Sequence, residues 1–140
     1  MKHLEIALKE YGKIDIPGKE SNPEVLKYFS EAGFGWVQDD DTAWCAAFLN
    51  WVLLRSGLQG SGSLLARSFL NIGFETKEPK LGDIAVFWRI NINSIFGHCG
   101  LYIAENEKGI FVLGGNEDGQ VKIKAYPKWQ LLAYRGLYEN

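Results

Sequence analysis

Thr42-Ala43-Trp44-Cys45-Ala46-Ala47-Phe48-Leu49-Asn50-Trp51-Val52-Leu53-Leu54-Arg55-Ser56-Gly57 is apolar around nearly its whole circumference. A surface helix keeps one polar face, so this pattern predicts a helix buried at the centre of the molecule and stopped by Gly57. Its first turn carries Cys45. Unpaired backbone N–H groups and the positive end of the helix dipole favour a thiolate there, the setting in which cysteine pKa values fall. The same N–H groups can form part of an oxyanion hole. A free cysteine is also commonly a small core residue, so position alone leaves both readings standing.

The segments before this helix are helical too. Leu4, Ile6, Ala7 and Tyr11 make a short apolar stripe that Gly12 stops. Ser21-Asn22-Pro23-Glu24 is a helix start, a capping side chain followed by proline at the first helical position. Val25, Leu26 and Phe29 supply that helix with a buried face, and a shorter helix is expected from Ser63 to about Leu70. After Pro79 the spacing changes to that of strands. Asp83 to Arg89, His98 to Ala104, Ile110 to Leu113, Gln120 to Ala125 and Leu131 to Leu137 are expected as five strands, with Asp118-Gly119 as a hairpin turn. Helices first and antiparallel strands after indicate an α+β domain, with the buried helix packed on one face of the sheet.

The chain has 140 residues, 46% hydrophobic and 23% charged, with five tryptophans. That is the size of one domain with one core, so a single site is expected. Residues 1–41 form its helical part and residues 42–137 the part that carries cysteine and histidine. A net charge of −2 supplies no field that would draw the protein to nucleic acid or to an anionic membrane. Met1-Lys2-His3-Leu4-Glu5-Ile6 places charge where a signal peptide needs an apolar run, and no stretch of about 18 apolar residues occurs. The expectation is a soluble, monomeric product made in the cytoplasm without a signal peptide.

Two cysteines, Cys45 and Cys99, and two histidines, His3 and His98, are present. No paired metal-ligand spacing joins them and His3 lies among first residues that commonly fray, so neither metal nor organic cofactor is expected. Strand alternation in Phe96-Gly97-His98-Cys99-Gly100-Leu101-Tyr102-Ile103 puts His98, Gly100 and Tyr102 on one face and Cys99, Leu101 and Ile103 on the other. Cys99 reads as core. His98 is the histidine positioned to serve Cys45 as a general base, between glycines that leave room for a substrate or a helix end, although a histidine satisfied in the core fits the same pattern. A third residue would orient the imidazole. Asn116, after Leu113-Gly114-Gly115, lies beside His98 if the two strands pair as a hairpin. Asn116 reads equally as a turn residue, and Glu117 and Asp118 are substitutes in the same loop.

Trp44-Cys45-Ala46-Ala47-Phe48, then Lys80-Leu81-Gly82-Asp83-Ile84, then Gly97-His98-Cys99-Gly100-Leu101-Tyr102 and Gly114-Gly115-Asn116 resemble, in order and spacing, the NlpC/P60 and CHAP superfamily of papain-like cysteine peptidoglycan hydrolases. The resemblance runs from Thr42 to Leu137 and is greatest to a small-domain branch found among phage lysins and secreted effectors. It implies a papain-like fold, Cys45 as nucleophile, His98 as base and Asn116 as the orienting residue. The substrate it implies is the peptidoglycan stem peptide, cleaved by an amidase or endopeptidase. The Asp-Cys-Ser-Gly-Phe form common in NlpC/P60 proteins is absent and the third position is not histidine, so the D-glutamyl-diamino acid specificity of that branch does not carry over.

Around this centre Gln38 could supply an oxyanion donor or be a surface loop residue. Asp39 to Asp41, and Asp41 in particular, could bind a cationic amine of the substrate or be a solvated capping segment. Trp44 and Trp88 could wall the groove or belong to the aromatic core. An effector would imply secretion machinery and an immunity protein that plugs the groove. A rival reading is a catalytically silent module that binds the wall in the same groove.

Overall fold

The computed structural model describes residues 1–15, 22–36 and 44–138. Among the described residues three helices precede the sheet, α1 (Lys2–Lys9), α2 (Pro23–Ser30) and α3 (Cys45–Arg55). Asn22 caps α2 by accepting from the Glu24 amide at 2.9 Å, with Pro23 in the first turn as the sequence indicates. The segment expected as a fourth helix is a 3₁₀ turn over Ala66–Asn71. Six strands follow: β1 (Phe74–Thr76), β2 (Ile84–Trp88), β3 (Gly97–Asn106), β4 (Gly109–Glu117), β5 (Gln120–Tyr126) and β6 (Leu131–Gly136). They form one antiparallel sheet in the order β1-β6-β2-β3-β4-β5.

The expected count of five strands is corrected to six. The additional strand, β1, is three residues long and pairs with β6 through Phe74 opposite Gly136. Three residues carry no readable alternation, and the bare edge of β6 makes them a strand. Gly136 permits the contact, since a side chain there would collide with the Phe74 ring.

Helix α3 is buried along most of its length, from Cys45 to Leu53. It packs on the sheet face formed by Ile84, Val86, Cys99, Leu101, Leu113 and Val121. The opposite face carries a smaller cluster of Ala85, Phe87, Ile110, Val112 and Tyr134. Register explains the division, because Val86 lies opposite Cys99 and Phe87 opposite His98. Behind α3, the Tyr28 ring meets Phe48 edge-on at 4.9 Å and Trp51 at 5.0 Å, locking α2 to the central helix. Tyr28 donates to Glu10 at 2.9 Å and Trp51 to Glu31 at 2.8 Å, so both polar ends are satisfied where the rings go inward.

The start of the chain is tied down and does not fray. His3 is buried and donates from Nε2 to the Gly82 carbonyl at 2.8 Å. Gly82 itself takes a left-handed φ of 89° in the turn that leads into β2, and Asp83 closes that turn by accepting from the Lys80 amide at 2.8 Å. The Gly82-Asp83 pair of the motif is thus a turn that starts a strand.

Helix α3 comes close to the sheet at Gly115 on β4. A β-carbon there would lie 2.6 Å from Phe48 Cβ and 2.8 Å from Trp44 Cε3. Gly115→Ala is therefore expected to lower unfolding free energy by about 1–3 kcal/mol through overpacking, read as a shifted urea midpoint with unchanged slope. A midpoint equal to wild type would show that α3 can retreat without loss.

Candidate active site

Cys45 is the first residue of α3, with Trp44 in the N-cap position, and no capping side-chain hydrogen bond is made there among the described residues. The helix dipole and the N–H groups of the first turn lie at the sulfur's end of the helix. Its side chain is buried but not sealed, at 8% exposure against 0% for Cys99. Cys45 stands beside β3, where Cys99 and His98 both bear on its sulfur electrostatically. Both cysteines are free thiols.

His98 donates from Nε2 to Glu117 Oε2 at 2.8 Å. That contact leaves Nδ1 as the nitrogen for Cys45. Glu117 is fully buried and His98 nearly so, so the pair acts in a dry surrounding where hydrogen bonds to charge are strong and an unpartnered charge is costly. Gly114 makes the contact possible. A β-carbon on it would lie 2.9 Å from Glu117 Oε2 and 3.5 Å from His98 Nε2.

Asn116, expected beside His98, is replaced by Glu117. The pairing of Leu101 with Leu113, continued evenly, would set Asn116 opposite His98. On its other side, however, β4 carries a bulge. Gly114 pairs with Lys122 but Glu117 pairs with Gln120, so one extra residue is accommodated between them. Asn116 takes φ 57° at that bulge, and Glu117 moves into the place that regular alternation would give to its neighbour. Asparagine is among the side chains that tolerate this left-handed conformation. Asp118, the other substitute, points away into ion pairs with Lys122 at 2.9 Å and Lys124 at 2.7 Å.

Trp44 does not wall a groove. Its ring is fully buried, stacked on Tyr28 at 5.8 Å, with Nε1 donating to Asp15 at 3.1 Å. It supports the start of α3 from beneath, because the N-cap position of a buried helix directs its side chain into the core. Trp88 is partly exposed at the end of β2, with its ring 5.2 Å from that of Trp129. Gln38 and Asp41 lie outside the described residues. Cys99 is in the core as expected, yet it also touches Cys45, which strand alternation alone did not disclose. No three His, Cys, Asp or Glu side chains among the described residues are placed to hold a metal ion. A hollow of about 480 Å³ lined by Gly57, Leu58, Ile72 and Tyr138 sits beyond the other end of α3, away from Cys45.

The electrostatics follow from this packing. The Cys45 pKa is held well below the ordinary thiol value, first by the hydrogen bond from the Cys99 thiol, then by the bond and charge of His98, against the opposing effect of burial. Burial by itself lowers the His98 pKa, but the Cys45 thiolate and then Glu117 outweigh it and raise it to about 10. Burial, followed by the bond and charge of Cys45, drives the Cys99 pKa well above normal. These shifts favour charge on the Cys45 sulfur and a proton on His98, beside a Cys99 thiol held toward its neutral form.

No family model matches the sequence, and no curated protein matches it. Among solved structures the chain is similar to a protein described as similar to lipoprotein, NLP/P60 family, from Staphylococcus aureus subsp. aureus Mu50, with a TM-score of 0.59 at 16% identity. The fold is that of an NLP/P60 protein. The match covers 99% of this chain and 41% of the staphylococcal protein, so the chain spans less than half of that protein's length. In this fold the buried helix begins with Cys45 and the adjoining strand carries His98.

The ion pair sets a pH window. With the Cys45 pKa lowered, thiolate persists to lower pH than in an ordinary cysteine and is lost as pH falls through that lowered value. With the His98 pKa raised, imidazolium is lost only as pH rises through about 10. Alkylation of Cys45 by iodoacetamide is accordingly expected to have its acid limb at lower pH than that of an ordinary thiol, which gains about tenfold per unit below its pKa of about 8.5. Cys99 is expected to remain unlabelled in the folded protein. Peptide mass spectrometry after timed labelling checks both statements, and an ordinary thiol profile at Cys45 contradicts the ion pair.

Proposed function

We propose that the protein is a cysteine hydrolase of amide bonds in bacterial cell-wall peptide, an amidase or endopeptidase of the NlpC/P60 and CHAP type. The observation that carries this reading is the buried His98–Glu117 hydrogen bond on the strand beside Cys45, which opens a buried helix. A thiolate with an imidazolium beside it is a nucleophile with its proton donor already in place. The Cys45 thiolate attacks the scissile carbonyl, and the carbonyl oxygen takes the negative charge against the free N–H groups of the first turn of α3. His98 delivers its proton to the leaving amine as the carbon–nitrogen bond breaks, leaving a thioester. It then takes a proton from water, and the hydroxide released at the thioester frees the acid and regenerates the thiolate. Glu117 holds Nε2–H throughout and stabilises the imidazolium.

Support for the wall as substrate comes from the fold likeness to an NLP/P60 protein together with the order of motifs around Cys45, Gly82-Asp83, His98 and Gly114-Gly115. The setting we propose is a phage lysin or a secreted antibacterial effector, made in the cytoplasm and acting on the wall after release. In the second case secretion machinery and an immunity protein over the site complete the system. The stem peptide is the partner, and the protein acts as a monomer without nucleic acid or membrane.

Incubation of purified peptidoglycan with the protein, followed by mass spectrometry of the muropeptides, is expected to reveal new amine and carboxyl termini that identify the bond. Cys45→Ala should abolish them with little loss of stability, since it removes one sulfur at a helix start. Wall binding with no cleavage by the wild type would sink the hydrolase and favour a binding module.

A second comparison separates the two candidates for the third position. Glu117→Gln is expected to lower turnover by about 10- to 100-fold, because a neutral amide stabilises the imidazolium less well. Asn116→Gly, which preserves the left-handed backbone, should stay near wild type. The reverse ranking in muropeptide release would return the role to Asn116.

A further inference from the structure

Tyr126, at the end of β5, is bound to this site twice. Its hydroxyl donates to Glu117 Oε1, while Glu117 Oε2 takes His98 Nε2 at 2.8 Å. Its ring lies over the His98 imidazole, with centroids 4.8 Å apart and planes 17° from parallel. The same ring packs on Phe87 at 4.9 Å, which holds the tyrosine in place from β2. One side chain therefore touches both ends of the His98–Glu117 bond.

We propose that Tyr126 is a positioning residue of the active site, holding the Glu117 carboxylate by its hydroxyl and the His98 ring plane by its face. This rests on the proposed Cys45–His98 chemistry. A carboxylate with no solvent contact needs a donor on each oxygen, and among the described residues His98 and Tyr126 are the donors that reach it. Without the hydroxyl, Oε1 is left unsatisfied and the carboxylate can rotate, carrying the imidazole with it. The stacked face adds a second effect. The negative π-face of a tyrosine attracts an imidazolium more than a neutral ring, so the stack favours the proton staying on His98 and the charge staying on Cys45.

Burial first, then the charge and bond of Glu117, raise the Tyr126 pKa far above neutral, so the hydroxyl remains a donor at working pH. The groups that bear on this arrangement come from every neighbouring element: Cys45 on α3, Cys99 and His98 on β3, Glu117 and Asp118 at the end of β4, and Lys122 and Lys124 on β5. Lys124 Nζ stands 5.8 Å from the centre of the Tyr126 ring.

The test is the pH profile of Cys45 alkylation by iodoacetamide in wild type, Tyr126→Phe, Glu117→Gln and the double variant, with muropeptide release measured in parallel. Tyr126→Phe keeps the ring and removes the hydroxyl, so folding is expected to survive, with near-ultraviolet circular dichroism as the check. The expected result is an acid limb of the alkylation profile shifted to higher pH and a fall in turnover of about 5- to 50-fold, with KM little changed. In the Glu117→Gln background the same substitution should add under about twofold, because the hydroxyl acts through that carboxylate. Tyr126→Leu, which removes the stack as well, should shift the limb further than Tyr126→Phe. A wild-type profile in Tyr126→Phe, or a full effect that persists without Glu117, would overturn the role. Alkylation needs no cell wall, so a shifted profile in a protein that cleaves no peptidoglycan would uphold Tyr126 and reject only the substrate.

Discussion

The buried carboxylate of Glu117 is the constraint on which the site depends. A carboxylate without water must be met by donors at fixed positions or it does not stay charged. Here the donors arrive from both adjoining strands, His98 from β3 and Tyr126 from β5, and β4 lies between them in the sheet order. Glycine at 114 leaves the space in which carboxylate and imidazole meet, and the bulge after it turns Glu117 inward. Strand order, small residues and bulge are separate features of the chain that serve one contact.

A second constraint places the sulfur. Cys45 depends on α3 starting beside β3, and α3 is held there by aromatic packing from α2 and by the close approach of Phe48 and Trp44 to Gly115. The helix start then presents its N–H groups to a thiol that is nearly, but not wholly, withdrawn from water. Burial would raise the pKa of an isolated thiol. At this position the opposing effects of Cys99 and His98 are larger, and the balance falls on the thiolate side. The two cysteines show how little sequence distance matters beside position. Cys99 adjoins His98 in the chain yet is driven toward the neutral thiol, because it has no exposure and faces the charge of Cys45.

The sequence by itself determined those features that depend on local pattern. All-round apolarity marked α3 as the central helix, apolar β-rich runs between turn residues marked five of the six strands, and alternation from Gly97 divided His98 and Gly100 from Cys99 and Leu101. Helix start and histidine were legible because a helix end and a strand face each follow from neighbours a few residues away. The NLP/P60-type fold expected from the motif order is the fold found.

Tertiary structure decided the rest, at positions where a residue's role is set by a partner distant in sequence. Glu117 replaced Asn116 beside His98 because a bulge shifts which side chain faces inward, and a bulge in a Gly-Gly-Asn-Glu run leaves no periodic trace. Trp44 turned into the core because Tyr28 and Asp15 are there to receive it, and His3 became a buried residue because Gly82 offers a carbonyl 79 residues away. Strand β1 exists because β6 had a free edge, and Tyr126 reaches the site only because β5 folds back on β4. In each case the deciding energy is a contact between segments, which local propensity does not encode.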